Sequence, residues 1–417
     1  MKLGQLLDIR LLRPLIVNRH ILLRTHPNLP MAILNYSNSC LFEDFWPHEV
    51  QCCRGLVIHT CPSHLTTGVC EECEIAARPF HKFFNLNHAS QPDYHEENLP
   101  KVEPTVTEKV DGWFGILWRS KQYGQPLSMV PNWDAENKCH WGIASRGSFD
   151  SVGADFASGR LGKLIKYGAI NEFPKGYSPI FEIVCRETKV VVDYPFEGLV
   201  LLGCVNIETG EELPYDDLQL VWAKIAGYAK DGRPWIRLAK AHRIGLDQVK
   251  GIHNSWDVKN MEGLVLTYPR PGTFPIKVKV KFEEYKRLHR IITGVTPQMI
   301  WESVNDPMAK WVGPEVPEHF RKWALLHRDK MYSQFQIKLR EAIRVAEDPT
   351  LNVVGCNLED KNDRKRLFAL LTVNSPEYAT IAMSLLDGHI YDAHKAIWRS
   401  IRPVGREEVF YRDGQGE

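Results

Sequence analysis

The sequence lacks any large imbalance of charge. Its 417 residues include 52 Lys plus Arg and 51 Asp plus Glu, which leaves a formal net charge of +1. A protein with so small a net charge has no global electrostatic attraction for nucleic acid, so any polyanion site must be a local patch. Apolar residues make up 44% and charged residues 25% of the chain, which excludes a disordered protein and favours a globular one.

The sequence also lacks long apolar runs, internal repeats and low-complexity segments. No run approaches about eighteen apolar residues, so we expect no transmembrane helix and no membrane partner. The N-terminal stretch "MKLGQLLDIRLLRPLIVNRHILL" has basic residues within it and no small-residue cleavage site, unlike a secretion signal. We therefore expect a cytoplasmic protein whose 10 cysteines are reduced thiols.

What the sequence does contain is a long β-rich region followed by a helical one. Apolar, β-branched runs separated by turn signals recur up to residue 281, with helical stretches between them. These runs predict strands at 55–59, 179–184, 189–194, 198–207 and 263–268. Further along, the patterns are helical, and one predicted helix over 318–348 ends at Pro349. We predict an α+β domain of antiparallel sheets with flanking helices over residues 1–289, and an all-α domain over 290–417.

The stretch "TEKVDG" at 107–112 places a lysine just before an Asp-Gly turn. One interpretation is an exposed β-hairpin with charged ends. The alternative is that Lys109 is a nucleophile, because a deprotonated lysine amine can attack a phosphorus or carbonyl centre. Enzymes favour the neutral amine by desolvation or by neighbouring cations, so a nucleophilic Lys109 predicts cations close by. Asp111 would be an oriented partner of this lysine or a turn residue.

A second run of lysines lies in "IKVKVKFEEYKRLH" at 276–289. Lys277, Lys279 and Lys281 alternate along a predicted strand, which places them on one face. An edge strand protected by lysine is one interpretation. The other is a face that binds a polyphosphate, where three like charges would be favourable.

Two glutamates are candidates for the same site. Glu182 lies within the apolar strand "FEIV", where an unpaired carboxylate would be costly. Glu262 begins the strand "EGLV", which leads through a short Pro/Gly turn into the lysine strand. The string "FEGLV" at 196–200 is nearly the same, but Glu197 fits a turn residue better, so we prefer Glu262.

Further cations lie upstream. Arg54 begins a predicted strand in "CCRGLVI", and Lys82 lies in "ARPFHKFFNLN". Lys82 and Phe84 would share one face of an extended chain, because side chains alternate along a strand. Arg54 and Lys82 suit a phosphate tail, whereas Phe84 suits either a base or the core, and core packing is the commoner use of a lone phenylalanine.

Taken in order, these motifs resemble the covalent nucleotidyltransferases, and most closely the RNA ligase 1 type of T-even bacteriophages. The resemblance runs from "LNYSN" at 34–38 to "YKRLH" at 285–289 through "CRG", "ARPFHKFFNLN", "EKVDG", "SRGS", "FEIV" and "EGLV". It implies a nucleotidyltransferase fold, similar to ATP-grasp ligases, over residues 1–289. Residues 290–417 would be a helical domain that could contribute to RNA-substrate specificity.

The resemblance also implies a reaction. In this family the motif lysine attacks the α-phosphate of ATP, and the adenylate then passes to an RNA 5′-phosphate. An RNA 3′-hydroxyl finally displaces AMP and seals the strand. The implied partners are RNA ends, including those of a cleaved tRNA, and the implied cofactors are ATP and Mg²⁺ or Mn²⁺.

Roles carried over from the matching motifs give a set of site residues. Lys109, Asp111, Glu182 and Tyr285 would be catalytic, with Glu182 also binding the ribose, and Glu262 would help to hold the metal. The remaining cofactor-binding positions are Tyr36, Arg54, Lys82, Phe84, Glu108, Gly112, Arg146, Lys279 and Lys281. Counting back from Tyr285 selects Lys279 and Lys281 for the α-phosphate and leaves Lys277 as an extra basic residue. At Arg146 the family has a lysine, which carries the same charge with a different geometry.

One segment is not supplied by the resemblance. The stretch "HTCPSHLTTGVCEECE" at 59–74 brings His59 together with Cys61, His64, Cys70 and Cys73, which could form a tetrahedral zinc site. The alternative is a surface turn with reduced thiols. We favour the turn, because the spacing before the Cys-x-x-Cys is irregular.

These inferences predict an ATP-dependent RNA ligase. A DNA ligase or a capping guanylyltransferase would share the Lys-x-Asp-Gly chemistry, but these enzymes usually continue into a β-rich OB-fold rather than a helical region. A nucleotide- or RNA-binding homologue that has lost catalysis is a further alternative. The presence of both Lys109 and the lysine strand argues against it.

Overall fold

We analysed a computed structural model of the protein. It describes the chain except residues 62–68, 122–125, 128, 189, 230–233, 254–257, 307, 310, 312, 314–315, 350–356, 405–409 and 411–417. The chain divides into two compact units, of which the first comprises Met1–His289 and the second begins at Arg290. None of the helices in the described part is long and apolar enough to cross a membrane.

The first unit contains three sheets. The first sheet has the order β1-β2-β3-β4 and is antiparallel throughout. Its strands are β1 (Ile21–Thr25), β2 (Met31–Tyr36), β3 (Arg54–His59) and β4 (Glu74–Ala77).

The second sheet has the order β12-β11-β10-β7-β9-β8. Its strands are β7 (Trp113–Arg119), β8 (Trp133–Asp134), β9 (Cys139–Ser145), β10 (Tyr177–Val184), β11 (Gly198–Asn206) and β12 (Ile236–Leu238). The third sheet has the order β13-β6-β14-β15-β5. Its strands are β5 (Phe84–Asn85), β6 (Thr105–Lys109), β13 (Ala241–His242), β14 (Gly263–Tyr268) and β15 (Ile276–Lys281).

The α+β class is confirmed, with one refinement of the sheets. The pairs β11–β12 and β15–β5 are parallel, so the second and third sheets are mixed and not purely antiparallel. The predicted strand at 189–194 is wrong for its described residues, 190–194, which form a loop. Its valines are buried, as the apolar run indicates, but two of their backbone amides bind a side chain instead of a neighbouring strand.

The helices of the first unit lie between and around the sheets. They are α1 (Leu3–Leu6), α2 (Ile9–Val17), α3 (Asn38–Phe42), α4 (His48–Cys52), α5 (Val152–Lys166), α6 (Tyr215–Gly227), α7 (Leu246–His253) and α8 (Glu283–Gly294), whose last turn belongs to the second unit. α5 and α6 cover the second sheet, where Leu161 and Ile225 are fully buried in the same apolar cluster as Phe181.

The second unit is helical in its described part, as predicted for residues 290–417. Its helices are α9 (Pro297–Glu302), α10 (Glu318–Ala346), α11 (Lys361–Asn374), α12 (Ala379–Leu386) and α13 (Ile390–Ser400). α10, α12 and α13 share an apolar cluster that includes Ala342, Ile381 and Ile397. The ring of Trp301 stacks on that of Trp398 at 5.9 Å, which joins α9 to α13.

Candidate active site

Lys109 is the last residue of β6, in the third sheet. β6 pairs with β14 and β13, whereas β7, the next strand along the chain, belongs to the second sheet. The segment 110–112 therefore carries the chain from one sheet to another, and the β-hairpin interpretation is wrong. The register places Lys109 opposite Gly263, which brings its side chain beside Glu262.

Lys109 belongs to a set of paired charges that we call the carboxylate group: Lys109, Glu182, Glu262 and Lys281. The Lys109 amine donates to Oε2 of Glu262 at 2.7 Å, and the Lys281 amine lies 2.9 Å from Oε1 of the same carboxylate. Glu262 is only 3% exposed, so its charge is balanced mainly by these two lysines. Because breaking such a buried pair is costly, the two lysines are held in place around one carboxylate.

The pKa shifts in the carboxylate group follow from this pairing. Burial lowers the pKa of the Lys109 amine, but Glu262 and Glu182 outweigh burial, so the pKa lies above its usual 10.5. Burial raises the pKa of Glu262, but Lys109 and Lys281 outweigh it and the net shift is downward. The expectation that clustered lysines favour a neutral Lys109 is therefore wrong, because Glu262 and Glu182 stabilise the charged amine.

Glu182 behaves differently from Glu262. It lies in β10 beside the Lys109 segment, and burial raises its pKa to about 8, with Lys109 opposing and Glu262 reinforcing the shift. Glu182 therefore takes up a proton near neutral pH and could donate a hydrogen bond, for example to a sugar hydroxyl. Two buried carboxylates that influence one another fit a divalent cation, since Mg²⁺ needs only one or two protein carboxylates beside phosphate oxygens.

Four basic residues form a second set, which we call the cation group: Arg54, Lys82, Arg146 and Lys279. Arg54 begins β3, Arg146 follows β9, and Lys279 lies in β15. β5 pairs in parallel with β15, which brings Lys82, two residues before β5, close to Lys279. The Tyr36 hydroxyl accepts from Arg146 Nη1 at 2.5 Å and from Lys82 Nζ at 3.4 Å.

The two lysines of this group have lowered pKa values. Burial lowers the pKa of Lys279 well below 10.5, and Lys82, Lys281, Lys109 and Arg54 lower it further. Burial also lowers the pKa of Lys82, with Arg54 and Arg146 adding to the shift. The lysine whose neutral form is favoured is thus Lys279 and not Lys109. Such a concentration of buried positive charge suits a ligand with several negative charges.

Aromatic rings support the cation group. The Arg54 guanidinium lies 4.1 Å from the centroid of Phe114 and 5.0 Å from that of Phe83, and the Lys82 amine lies 4.4 Å from that of Trp46. Cations over aromatic faces are stabilised when they leave water. No motif in the sequence indicates a role for these three rings, although Phe83 adjoins Lys82 in the sequence.

Phe84 is placed in the core, which corrects its assignment as a nucleotide-binding residue. Its side chain is 2% exposed and packs edge-on against Trp46 and Tyr94, with ring centroids 5.4 and 5.0 Å away. The ring has no accessible face for a base. β5 is so short that Phe84 and Asn85 are its two residues, and the phenylalanine anchors this strand beside Lys82.

Asp111 is an oriented partner and not merely a turn residue. Its Oδ2 accepts from the backbone amides of Val191 and Val192 at 2.9 Å each, and its Oδ1 accepts from the Tyr285 hydroxyl at 2.8 Å. The amide of Asp111 donates to the hydroxyl of Tyr194 at 2.8 Å. Asp111 and Tyr285 therefore position the segment after Lys109, and Tyr194 joins them, although no local sequence signal reveals it.

Gly112 and Glu108, on either side of Lys109, have different structural roles. A Cβ at Gly112 would lie 2.5 Å from the backbone oxygen of Ile183 and 3.0 Å from Cγ of Glu182, so only glycine fits where the turn meets β10. Glu108 accepts from the backbone amide of Lys240 at 2.9 Å, which ties β6 to the chain beside it. This contact gives Glu108 a structural role in the structure as it stands.

Lys277 is separated from the other two lysines of β15 by its partners. Its amine donates to Glu212 Oε2 at 2.5 Å and to Thr267 Oγ1 at 3.0 Å. The strand itself lies between β14 and β5, so the edge-strand interpretation of the lysine run is wrong. Glu197, the near-copy of Glu262, accepts from the amide of Arg186 at 3.0 Å, in the loop before β11.

The cysteine segment lies at the other end of β3 from Arg54. The Sγ atoms of Cys61, Cys70 and Cys73 all lie within 4.8 Å of one another. His64 is outside the described residues. His59 does not join the three thiols, and burial lowers the pKa of its imidazole to about 4.

The chain matches a known protein family. Residues 52–285, more than half of the chain, match the family model described as RNA ligase, of the T4 RNA ligase 1 group. The chain belongs to this RNA ligase family, which confirms the resemblance inferred from the motifs.

Two curated relatives cover parts of the chain. The RNA ligase of Rhodothermus phage RM378 is 23% identical over 310 residues, which are 65% of this chain and 66% of the phage protein. A relative from Thermovibrio ammonificans is 25% identical over 224 residues, 52% of this chain and 50% of that protein. The chain thus spans between half and two thirds of the length of these relatives. Among solved structures, an archaeal ATP-dependent RNA ligase superposes with a TM-score of 0.43 at 12% identity, covering 81% of this chain and 79% of that one.

Proposed function

We propose that the protein is an ATP-dependent RNA ligase that joins an RNA 5′-phosphate to an RNA 3′-hydroxyl. The observation that carries the proposal is the position of Lys109, whose amine lies at the boundary between the carboxylate group and the cation group. Family membership supports the same function. A nucleophile beside clustered cations suits phosphoryl transfer, in which alignment and charge neutralisation supply most of the catalysis.

In the first proposed step, the neutral Lys109 amine attacks the α-phosphorus of ATP. A phosphorus–nitrogen bond forms, the bond to the bridging oxygen breaks, and pyrophosphate leaves. Lys109 rests as an ammonium ion 2.7 Å from Glu262, so it must give up a proton and this contact before it reacts. Arg54, Lys82 and Lys279 would hold the triphosphate, because multiple buried cations neutralise its charge.

In the second and third steps, the adenylate leaves Lys109 for RNA. An oxygen of the RNA 5′-phosphate attacks the AMP phosphorus, the phosphorus–nitrogen bond breaks, and the lysine nitrogen takes up protons from solvent and leaves as an ammonium group. The RNA 3′-hydroxyl then attacks the activated 5′-phosphate, loses its proton and displaces AMP. Glu182 would bind the ribose of the nucleotide, since it is protonated near neutral pH and can donate to a hydroxyl.

A divalent cation, Mg²⁺ or Mn²⁺, would be held by Glu262 with Glu182 nearby and would supply charge neutralisation at the phosphates. The two lysines on Glu262 would then release its oxygens. Asp111 and Tyr285 are positioning residues in this proposal, because their hydrogen bonds fix the turn after Lys109. RNA ends, including those of a cleaved tRNA, are the proposed substrates.

Two measurements test the proposal. Intact-mass spectrometry after incubation with ATP and Mg²⁺ should show one added AMP per chain, and removal of the divalent cation should prevent it. Ligation of 5′-phosphorylated RNA and DNA strands, single-stranded and nicked, should give product with RNA. An adenylated protein that seals only DNA would favour a DNA ligase, and a protein that gains no AMP would favour a binding homologue without catalysis.

A further inference from the structure

The connection between β3 and β4 contains three thiols that the proposed ligase chemistry does not use. Cys61 lies two residues after the end of β3, and Cys73 immediately precedes β4. β3 begins at Arg54 and spans six residues, so this connection lies about 17 Å from the cation group at about 3.3 Å per residue. Any site here is separate from Lys109.

The three thiols converge although they come from separate parts of the connection. Their Sγ atoms all lie within 4.8 Å of one another, and those of Cys70 and Cys73 are 3.6 Å apart. All three are free cysteines, and Cys70 and Cys73 are 6% and 1% exposed. Two thiolates on one tetrahedral zinc ion, each at about 2.3 Å, would lie about 3.8 Å apart. The observed separation is already close to that of two ligands of one ion.

The backbone hydrogen bonds around the thiols also favour a metal site. The amide of Cys70 donates to Sγ of Cys73 at 3.4 Å, and the amide of Cys73 donates to the carbonyl of Cys70 at 3.2 Å. A backbone amide directed at sulfur stabilises a thiolate, as outer partners of metal ligands generally do. Soft thiolate ligands in a tetrahedral arrangement select zinc among the common divalent cations.

We propose that Cys61, Cys70 and Cys73 bind one zinc ion as a structural site. Each thiol would lose its proton on binding, so up to three protons leave as three sulfur–zinc bonds form. The described residues supply three of the four tetrahedral ligands. The irregular spacing before Cys70, which favours a surface turn on sequence grounds, does not prevent Cys61 from reaching the other two thiols.

The function of the ion would be to fix the N-terminal segment. The amide of Leu3 donates to the carbonyl of Cys73 at 2.6 Å, and the amide of Gly4 donates to that of Glu71 at 3.1 Å. A Cβ at Gly4 would lie 2.9 Å from Cβ of Glu71, so α1 approaches the cysteine turn as closely as glycine permits. Leu3 is fully buried in the apolar cluster that includes Cys70 and Cys73. A zinc ion that fixes the turn would thereby fix α1.

The test uses the full-length protein, purified under reducing conditions without added metal. Elemental analysis should find about one zinc per chain, falling at least fivefold in Cys70→Ser and Cys73→Ser. Cys139→Ser is the matched control, since Cys139 is also a buried free thiol but lies in the second sheet. Zinc well below one per chain in the wild type, or unchanged zinc in both variants, would overturn the proposal.

A spectroscopic measurement keeps the test decisive if a variant does not fold. Wild-type protein stripped with a chelator and titrated with Co²⁺ should develop sulfur-to-cobalt charge-transfer absorption that saturates at one equivalent. Stripping should also lower Tm by roughly 5 °C or more, and Zn²⁺ should restore it. Absence of the absorption band would contradict thiolate ligation. These readouts do not involve ATP or RNA, so they are independent of the ligase proposal.

Discussion

The carboxylate group and the cation group lie side by side, but the pKa values of their lysines are shifted in opposite directions. In the first, Lys109 and Lys281 share the buried carboxylate of Glu262, and the pKa of Lys109 is raised. In the second, Lys279 and Lys82 lie among other cations, and their pKa values are lowered. The main charged neighbours of Lys109 are thus carboxylates, whereas those of Lys279 are cations.

This difference assigns two tasks to separate lysines: binding of a triphosphate and control of the protonation state of Lys109. In the proposed reaction, the cation group would attract a triphosphate, whose negative charge would relieve the repulsion among the cations. The carboxylate group would keep Lys109, the proposed nucleophile, protonated until its contact with Glu262 is lost. The same strand shows both situations, with Lys281 in the first group, Lys279 in the second, and Lys277 paired with Glu212 outside both.

Replacement of the nucleophile should have the largest effect. In Lys109→Ala, we expect adenylation to fall by about 10³-fold or more, because no other group forms the phosphorus–nitrogen bond. The fold should persist, since Lys281 still pairs with Glu262. Intact-mass spectrometry after incubation with ATP measures the adduct, and circular dichroism checks the fold.

A persistent protein–AMP adduct in folded Lys109→Ala would contradict the assignment. Because the neutral form of Lys279 is favoured, peptide mapping of any residual adduct should examine that residue first. An adduct on Lys279 would reverse the roles of the two groups.

The three lysines of β15 provide the next test. We expect Lys279→Ala and Lys281→Ala each to reduce the adenylation rate by about 10²-fold, because each removes a charge beside the reacting phosphates. Lys277→Ala should leave the rate per folded molecule within about threefold, yet lower the free energy of unfolding by about 2 kcal/mol, since it leaves the partly buried Glu212 carboxylate without its lysine.

Single-turnover adenylation and urea unfolding of the same three variants separate the two effects. Similar losses of rate at all three positions would show that the register counted back from Tyr285 carries no information. The comparison is well matched, because the substitutions are identical and lie on one strand.

Much of this arrangement could be predicted from the sequence, since several motifs indicate the local structure around them. A lysine at the end of a strand, followed by Asp-Gly, and a glutamate before a Gly-rich strand start both indicate where side chains emerge. The register between β6 and β14, which brings Lys109 beside Glu262, depends on tertiary structure. The choice of Glu262 over Glu197 rested on its proximity in sequence to the lysine strand, and in the structure Glu262 is the one that contacts Lys109.

What the sequence could not predict depends on partners far along the chain. Asp111 contacts the 191–192 backbone, and Lys277 contacts Glu212, with no local motif to indicate either pair. The protonation state of Lys109 could not be predicted for the same reason. The sequence indicates the lysine strand, but it does not indicate that Glu262 and Glu182 lie close to Lys109. The 190–194 loop was mistaken for a strand because burial of valines does not reveal where their amides bond.

The resting state of Lys109 can be tested directly. Glu262→Gln removes the partner that does most to raise the pKa of Lys109, so the neutral amine should become more abundant at pH 8. In the protein without ATP, labelling of Lys109 by an amine-specific reagent should accelerate about tenfold for each unit by which the pKa falls. Quantitative peptide mass spectrometry measures the label.

Glu212→Gln is the matched control, because it removes the carboxylate paired with Lys277 and should leave Lys109 labelling unchanged. Equal labelling of Lys109 in the wild type and Glu262→Gln would mean that the carboxylate does not keep the amine protonated. The proposed difference between the carboxylate group and the cation group, in the pKa values of their lysines, would then be contradicted.

The smallest effect is expected in the helical unit, where a closely paired and a loosely paired arginine differ. Arg364 makes a two-pronged contact with Asp387 at 2.6 Å for each pair of atoms, so it holds α11 to the end of α12. Arg366 is 77% exposed and reaches Asp363 only at 3.9 Å. Exposed cations of this kind can bind RNA phosphates without reading sequence.

We expect the double variant Lys365→Ala/Arg366→Ala to bind single-stranded RNA about two- to fivefold more weakly at low salt and to adenylate Lys109 normally. Arg364→Ala should instead lower stability. Unchanged affinity and salt dependence in the double variant would leave this helix with a structural role alone.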